Sequence, residues 1–269
     1  MRIDYDDLPE PVRMDMKSRF GVIRTARTVE AGTNCDIAAV LETDSAGRVF
    51  LKGLPEDHDS VRDQQREARV NPYIEEIGPR LLGSWSIAGW DLIAFDAVED
   101  ARHADYTPGS PDLPKLATVM KQLAETPCPS VPMMTAGRRW GAYLDNTEGV
   151  ALLEGSSLLH TDYHGGNVLI TNERAWLVDW AWATRGAAFI DLALLLPRLI
   201  AAGHSPDQAE AWAAKHTVWQ DANPAAITAF AAAISRLWGQ LAERHADRKA
   251  RQPIVDAAII WADHRGTTA

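Results

Sequence analysis

The residues that could do chemistry crowd into one stretch, Ser157 to Asp191, which reads SLLHTDYHGGNVLITNERAWLVDWAWATRGAAFID. Asp162 stands in a loop between His160 and His164, Gly165 and Gly166 follow, and Asn167 comes five positions after the aspartate. Val168-Leu169-Ile170 and Ala175 to Val178 are apolar runs separated by the polar turn Thr171 to Arg174, the pattern of a β-hairpin. Pairing centred on Glu173 sets Asn167 opposite Asp179, where directly opposed backbones lie about 4.5–5.5 Å apart. An amide oxygen and a carboxylate that close can share one hard cation such as Mg²⁺, which prefers oxygen ligands. A carboxylate base, two oxygen ligands and a tight glycine loop are the parts that phosphoryl transfer requires. Each residue alone fits a polar turn that ends a core hairpin; it is their combination in one hairpin that points to chemistry.

Three segments carry a family resemblance: His160-Thr161-Asp162-Tyr163-His164-Gly165-Gly166-Asn167, Val178-Asp179-Trp180 and Ile190-Asp191-Leu192-Ala193. Together they resemble the aminoglycoside phosphotransferase and choline kinase-like family of small-molecule kinases, whose pattern is close to H-G-D-x-H-x-x-N, an aliphatic-D hairpin end and a D-L-A helix start. Thr161 stands where that family usually has glycine and Gly165 where it often has proline, and neither change removes a functional group. The resemblance implies an α+β, two-lobed protein-kinase-like fold. Its N-terminal lobe would be an antiparallel sheet with one helix, its C-terminal lobe larger and mainly helical. It further implies Asp162 as the group that accepts the acceptor's proton, His160, His164 and Asp191 as supports of the catalytic loop, and Asn167 and Asp179 as the metal ligands. The implied cofactors are ATP (or GTP) and Mg²⁺. The implied reaction is transfer of the γ-phosphate to a hydroxyl of a small molecule. An antibiotic such as an aminoglycoside, or a related secondary metabolite, is the first expectation; a choline, homoserine or sugar kinase of primary metabolism is the alternative.

The elements that must position these residues can be read around them. A short helix is expected within residues 5 to 19. Phe20 to Ile23, Ile37 to Leu41 and Val49 to Lys52 then read as strands joined by short polar turns, a small antiparallel sheet. The order turn, strand, turn, strand-with-lysine is similar to the nucleotide loop and phosphate-binding lysine of kinases. By that similarity Gly32, Thr33 and Asn34 would lie over the phosphates and Lys52 would grip them. Asp57 to Asn71 reads as a helix capped by Asp59 or Ser60 and ended by Pro72. Glu67 on this helix, rather than Glu75 or Glu76, is expected to pair with Lys52. Trp90 to Phe95 continues the sheet, and the resemblance places the nucleotide base against the backbone of Phe95 and Ala97.

From Ala101 breaker-rich loops and helical patterns take over, so residues 1–98 are expected to form the nucleotide-binding lobe and 99–269 the catalytic and substrate-binding lobe. Leu113, Leu116, Ala117, Met120 and Leu123 recur at helical spacing. Ser205-Pro206 opens a later helix, and Ala225 to His245 forms another. Trp212, Trp219, Trp238 and Trp261 are candidates to line an acceptor pocket, although such tryptophans are more often core.

The 269 residues, 46% hydrophobic and 24% charged, suit an ordinary globular protein. A formal charge of −10 argues against nucleic acid as partner, since phosphate binding relies on basic stripes. Cys35 and Cys128 are too few for a disulfide framework and fit a reducing compartment. MRIDYDDLPEPVRMDMK lacks the apolar core of a signal peptide. The apolar run Ala187 to Ala202 is broken by Asp191, Pro197 and Arg198 and falls short of the ~20 residues a bilayer span needs. A cytoplasmic protein with no membrane partner and a small hydroxylated substrate is expected. Two competing readings are a zinc hydrolase using His160, Asp162 and His164 as ligands, and a kinase-like scaffold without activity.

Overall fold

The computed structural model describes residues 2–30, 35–244 and 248–268. The candidates Gly32, Thr33 and Asn34 lie outside the described residues. In the first third of the chain, β1 (Ile23–Thr28), β2 (Ile37–Thr43), β3 (Arg48–Pro55), β4 (Leu81–Ile87) and β5 (Trp90–Asp96) form an antiparallel sheet in the order β1-β2-β3-β5-β4. Val49 and Leu51 of β3 are buried with Leu41 of β2 and with Leu92 and Ala94 of β5. Helix α1 (Glu10–Phe20) closes this core with Val12, Met16 and Phe20, which recur every fourth residue and so share a face. Successive strand residues point to opposite faces, so burying Val49 and Leu51 under α1 turns Lys52 to the other side of the sheet. Helix α1 is the short helix expected within residues 5 to 19, and it ends one residue later, at Phe20.

That expected helix, α2 (Val61–Val70), buries Gln64, Glu67 and Val70, a spacing of three that marks one face. Both its ends are tied to the sheet. Gln64 donates to the backbone carbonyl of Asp91 at 2.9 Å and to its carboxylate at 2.6 Å. Asn71, just past the C-terminus, donates to Pro79 O and accepts from Leu81 N, each at 2.8 Å. Glu67 is fixed between these two anchors. Ser60 holds the N-cap position but makes no side-chain cap bond, contrary to expectation, because its backbone is already in the helical region.

After Asp96 the chain leaves the sheet through β6 (Arg102–His103) and enters α3 (Asp112–Glu125), where Arg102 binds the buried Asp112 with both guanidinium nitrogens. Then come β7 (Met134–Thr135), α4 (Ala136–Trp140), α5 (Thr147–Ala151), β8 (Ser157–Leu159), the hairpin β9 (Val168–Ile170) and β10 (Ala175–Leu177), and β11 (Thr184–Gly186). They make two small sheets, β10-β9-β6 and β7-β11-β8. The rest is helical: α6 (Ile190–Ala201), α7 (Pro206–Ala213), α8 (Thr217–Gln220), α9 (Pro224–Arg244) and α10 (Arg248–Thr268). The core of this lobe packs Leu192, Leu195 and Leu199 of α6 against Phe230 and Ile234 of α9 and Trp261 of α10. Trp212, Trp219 and Trp261 belong to that core. The Trp261 indole donates to Glu210 at 2.9 Å, which satisfies its one polar atom. Trp238 alone of the four is only partly buried.

The lobes meet where Leu177 N donates to Ile77 O at 2.7 Å. Gly78 permits this approach: a Cβ there would lie 2.6 Å from Ile74 Cδ1 and 3.2 Å from Leu177 O. Among the described residues no helix is long and apolar enough to cross a membrane. The anchoring of α2 is open to test. Asn71→Ala leaves two backbone groups without their partner and should cost about 1–3 kcal/mol, read as a lower urea midpoint at unchanged m-value. Asn71→Asp keeps the acceptor for Leu81 N and should fall between.

Candidate functional site

The hairpin that carries the site has a register one step away from the one expected. Val168 faces Leu177 and Ile170 faces Ala175. The ladder is thus centred between Asn172 and Glu173, and Asn167 meets Val178, whose N–H donates to Asn167 O at 3.0 Å. The cause is the turn. Thr171 N donates to Arg174 O at 3.0 Å, closing the two-residue loop that hairpins favour, while Thr171 Oγ1 accepts from Arg174 N at 3.2 Å. Asp179 lies beyond the ladder with φ +64° and ψ 66°, in the left-handed region. That turn carries its carboxylate to Lys52.

Lys52 Nζ donates to Glu67 Oε2 at 2.8 Å and to Asp179 Oδ1 at 2.9 Å. Glu67 Oε1 in turn accepts from Trp180 N at 3.3 Å, so one carboxylate holds both the lysine and the residue after Asp179. Burial alone would lower the Lys52 pKa, but Asp179 and Glu67 raise it further, and the ammonium stays charged. Burial would raise Asp179, yet the charge and hydrogen bond of Lys52 outweigh it and hold this carboxyl below its usual range. Glu67 goes the other way: burial lifts it above the usual range against the pull of Lys52, with Asp179 adding repulsion. Two carboxylates therefore share one ammonium, leaving an excess of negative charge. A cavity beside this trio is lined by Lys52, Ser60, Asp63, Glu67, Asp179 and Trp182.

Asp162 projects from the loop after β8. Its Oδ2 accepts from Asn167 Nδ2 at 2.8 Å, and its Oδ1 accepts from His164 N at 3.2 Å. The loop is held from within the core. Asp191, buried in the first turn of α6, accepts His160 N at 2.8 Å and Thr161 N at 2.9 Å. The fully buried His160 accepts from Asp162 N at Nδ1 (3.2 Å), so its Nε2 carries the proton and donates to Val178 O (2.9 Å). His164 caps the turn Gly165–Asn167 by accepting Gly166 N at 3.2 Å, and burial together with nearby Arg198 lowers its pKa.

Both His160 nitrogens are thus occupied, which removes the zinc-hydrolase reading. Among the described residues no group of three His, Cys, Asp or Glu could hold a metal. The oxygen set fits Mg²⁺ instead. Asn167 spends its amide nitrogen on Asp162, which leaves its oxygen for a ligand, and Asp179 keeps one carboxylate oxygen beyond the one on Lys52. Mg²⁺ takes few protein ligands when nucleotide phosphates supply the others.

Thr161 has φ +73°, the conformation that favours the glycine expected there. Its hydroxyl donates to Trp182 O at 2.9 Å, which offsets part of the strain. Phe95 is buried in β5, and Ala97 N donates to Arg48 O at 3.0 Å, so the Ala97 donor is committed and only its carbonyl is left for a base.

Three arginines that the sequence reading passed over stand around the site. Arg66, next to Glu67, donates to Ala181 O. Arg139 of α4 donates to Trp182 O at 2.8 Å and to Thr184 Oγ1 at 3.2 Å, and lies 5.1 Å from the ring centre of the exposed Trp182. Burial lowers the Arg139 guanidinium to about 10 against the pull of Asp162 and Asp191. Arg198 of α6 approaches Asp162 Oδ1 at 4.0 Å. Arg198 had a signal, as the lone cation in an apolar helix, whereas Arg66 and Arg139 sit among other charges or breakers and had none.

Comparison with known proteins follows the same lines. Residues 136–230, which include Asp162, Asn167, Asp179 and Asp191, match the family model described as phosphotransferase enzyme family. A search of curated proteins finds no match. Among solved structures, the choline kinase LicA of Streptococcus pneumoniae is similar at 11% identity and TM-score 0.58, over 92% of this chain and 97% of that one. The amicoumacin kinase solved with AMP-PNP, Ca²⁺ and Ami gives 12% identity and TM-score 0.62, over 93% and 94%. The macrolide 2′-phosphotransferase of Brachybacterium faecium gives 18% and 0.54, over 92% and 97%. At these identities the structures speak for the fold. They bear out the two-lobed kinase-like architecture, and with the family match they bear out the resemblance read from the sequence.

The strain at residue 161 yields a differential prediction. Thr161→Ala loses the Trp182 bond while keeping a non-glycine residue at positive φ, and should destabilise by about 1 kcal/mol. Thr161→Gly loses the same bond but relieves roughly 1–2 kcal/mol of backbone strain. The glycine variant should therefore melt above the alanine variant, as measured by calorimetry.

Proposed function

We propose, for a chain that is a phosphotransferase with an alcohol group as acceptor, that the donor is ATP and that residues 1–98 bind it while 99–269 carry catalysis and the acceptor. Lys52, steadied by Glu67, binds the α/β-phosphates. Asn167 and Asp179 would hold Mg²⁺, which supplies charge neutralisation on the triphosphate. Asp162 orients the acceptor hydroxyl and takes its proton as the oxygen bonds to the γ-phosphorus and the bond to the β–γ bridging oxygen breaks. His160 and Asp191 position the loop and touch no substrate. The transition state of such a transfer is loose, so positioning and charge neutralisation supply most of the acceleration.

One observation carries this reading: a buried lysine on a strand shares its ammonium between a helix glutamate and the aspartate that ends the hairpin. A structural ion pair needs only one carboxylate. The second places a carboxylate beside a cavity, where it would draw the metal ion of a metal-bound nucleotide. For the acceptor we propose a small hydroxylated molecule, an antibiotic or related secondary metabolite first, an aminoglycoside among them, and a hydroxylated primary metabolite second. The amicoumacin kinase, solved with AMP-PNP and Ca²⁺, has a fold that accommodates nucleotide and divalent ion together.

The direct test incubates the protein with MgATP and a panel of hydroxylated antibiotics and metabolites and looks by mass for the addition of one phosphate. Asp162→Ala should lower turnover by about 10²–10⁴-fold with MgATP affinity nearly unchanged, because the base does not hold the metal. Near-normal turnover in this variant would remove Asp162 from its role. Asp179→Ala should abolish the Mg²⁺ dependence of nucleotide binding, and calorimetry that still finds it would overturn the metal assignment.

A further inference from the structure

Asp162 has two distinguishable sides. Its Oδ2 is held by Asn167. Its Oδ1 faces the helical wall, where Arg198 Nη2 stands 4.0 Å away. Arg198 comes from the last turn of α6, and its guanidinium lies 5.1 Å from the ring centre of Trp238 on α9. Among the described residues nothing accepts a hydrogen bond from this guanidinium, and about a fifth of its side-chain surface, 19%, remains open. The charge is therefore largely removed from water, with Asp162 as its ionic neighbour and no acceptor within hydrogen-bond distance of its donors. Nearby, Arg251 of α10 adds repulsion and Tyr106 flanks the group.

We propose that Arg198 selects the acceptor, and that the acceptor carries a carboxylate a few bonds from the hydroxyl that Asp162 activates. The inference rests on the phosphotransferase reading above and names its substrate class. A guanidinium is a planar fork of donors that matches a carboxylate with two parallel bonds, and an aromatic face beneath it fixes its plane. The 4.0 Å between Arg198 and Asp162 sets the spacing: a molecule bonded to both has its acid and its hydroxyl within the same short fragment. A polycation such as an aminoglycoside would meet repulsion on this side. Neutral sugars would bring the guanidinium no charge beyond that of Asp162.

The test compares hydroxy acids with their uncharged counterparts, D-glycerate with glycerol and D-gluconate with D-glucose, alongside kanamycin, all with MgATP. The wild-type protein should favour the acids by roughly 10- to 100-fold in kcat/KM, the range of a charge-assisted hydrogen bond. Arg198→Gln should erase that preference, chiefly through KM for the acids, and Arg198→Lys should restore part of it. Preference for the uncharged compounds or for kanamycin in the wild-type protein overturns the proposal without needing any variant. So does an Arg198→Gln loss that is equal for acid and uncharged acceptor, because Arg198 would then act on Asp162 itself. Hydrolysis of MgATP by water separates the two readings. If it occurs and acids are not preferred, only the acceptor class falls; if neither hydrolysis nor any transfer occurs, both fall.

Discussion

A single ammonium holds the site together. Lys52 reaches it from the sheet, Glu67 from α2 and Asp179 from the end of the hairpin, so three elements far apart in sequence are located by one charged atom. Burying such a group is expensive, and ion pairs of this kind add little net stability when both partners leave water. What they provide here is position. The tethers at Gln64 and Asn71 hold α2 against the sheet whether or not Lys52 is present. The trio does not build the lobe; it aligns the lobe with the hairpin. An excess of carboxylate over ammonium also gives the site a reason to take up a cation, which a neutral pair would lack.

The second constraint lies below the catalytic loop. Asp191 presents both oxygens to consecutive backbone donors of His160 and Thr161, and His160 clamps the loop to Val178 O. Because Val178 also pairs with Asn167, the side chains of Asp191 and His160 couple the backbones of the loop, the hairpin and α6. That leaves the side chains of Asp162 and Asn167 free to face the cleft. Two left-handed residues, Thr161 and Asp179, lie at the points where the chain must change direction to allow this. Strain in the backbone and excess charge in the trio sit within a few residues of each other, the pattern expected where a fold gives up stability for a defined geometry.

Much of this was legible in the sequence because it depends on local chemistry. Lys52 and Glu67 were expected from the resemblance, and the structure supplies the local reason: alternation in β3 turns Lys52 away from Val49 and Leu51, and a spacing of three in α2 sets Glu67 beside Gln64 and Val70. The Ser205 cap forms as expected, with Gln208 returning the bond. The hairpin was read one residue out of register because its centre depends on whether the turn holds two residues or three, and the polar run Thr171 to Arg174 allows either. Closure by Thr171 and Arg174 decides it, and composition does not reveal that bond. The tryptophans were left between core and pocket for a related reason. Helical spacing places Trp212, Trp219 and Trp261 on a face without saying whether another helix covers it, and here the packing of α6, α7, α9 and α10 does.

Charge distribution is the feature that whole-chain composition hides most completely. A formal −10 suggests a cleft suited to cations, yet the arginines nearest Asp162 come from α4 and α6, and the negative excess lies on the side of Lys52. Asp162 thus has an amide on one oxygen and a guanidinium near the other. Polarity of this kind has a physical use in phosphoryl transfer, since a metal-bound donor and the acceptor must approach one carboxylate from different directions without exchanging places. In the reading proposed above, the carboxylates of the trio would draw the metal and the largely buried Arg198 guanidinium would repel it. Sorting the reactants by charge needs no moving part, only that Asn167 and Arg198 face different oxygens of Asp162.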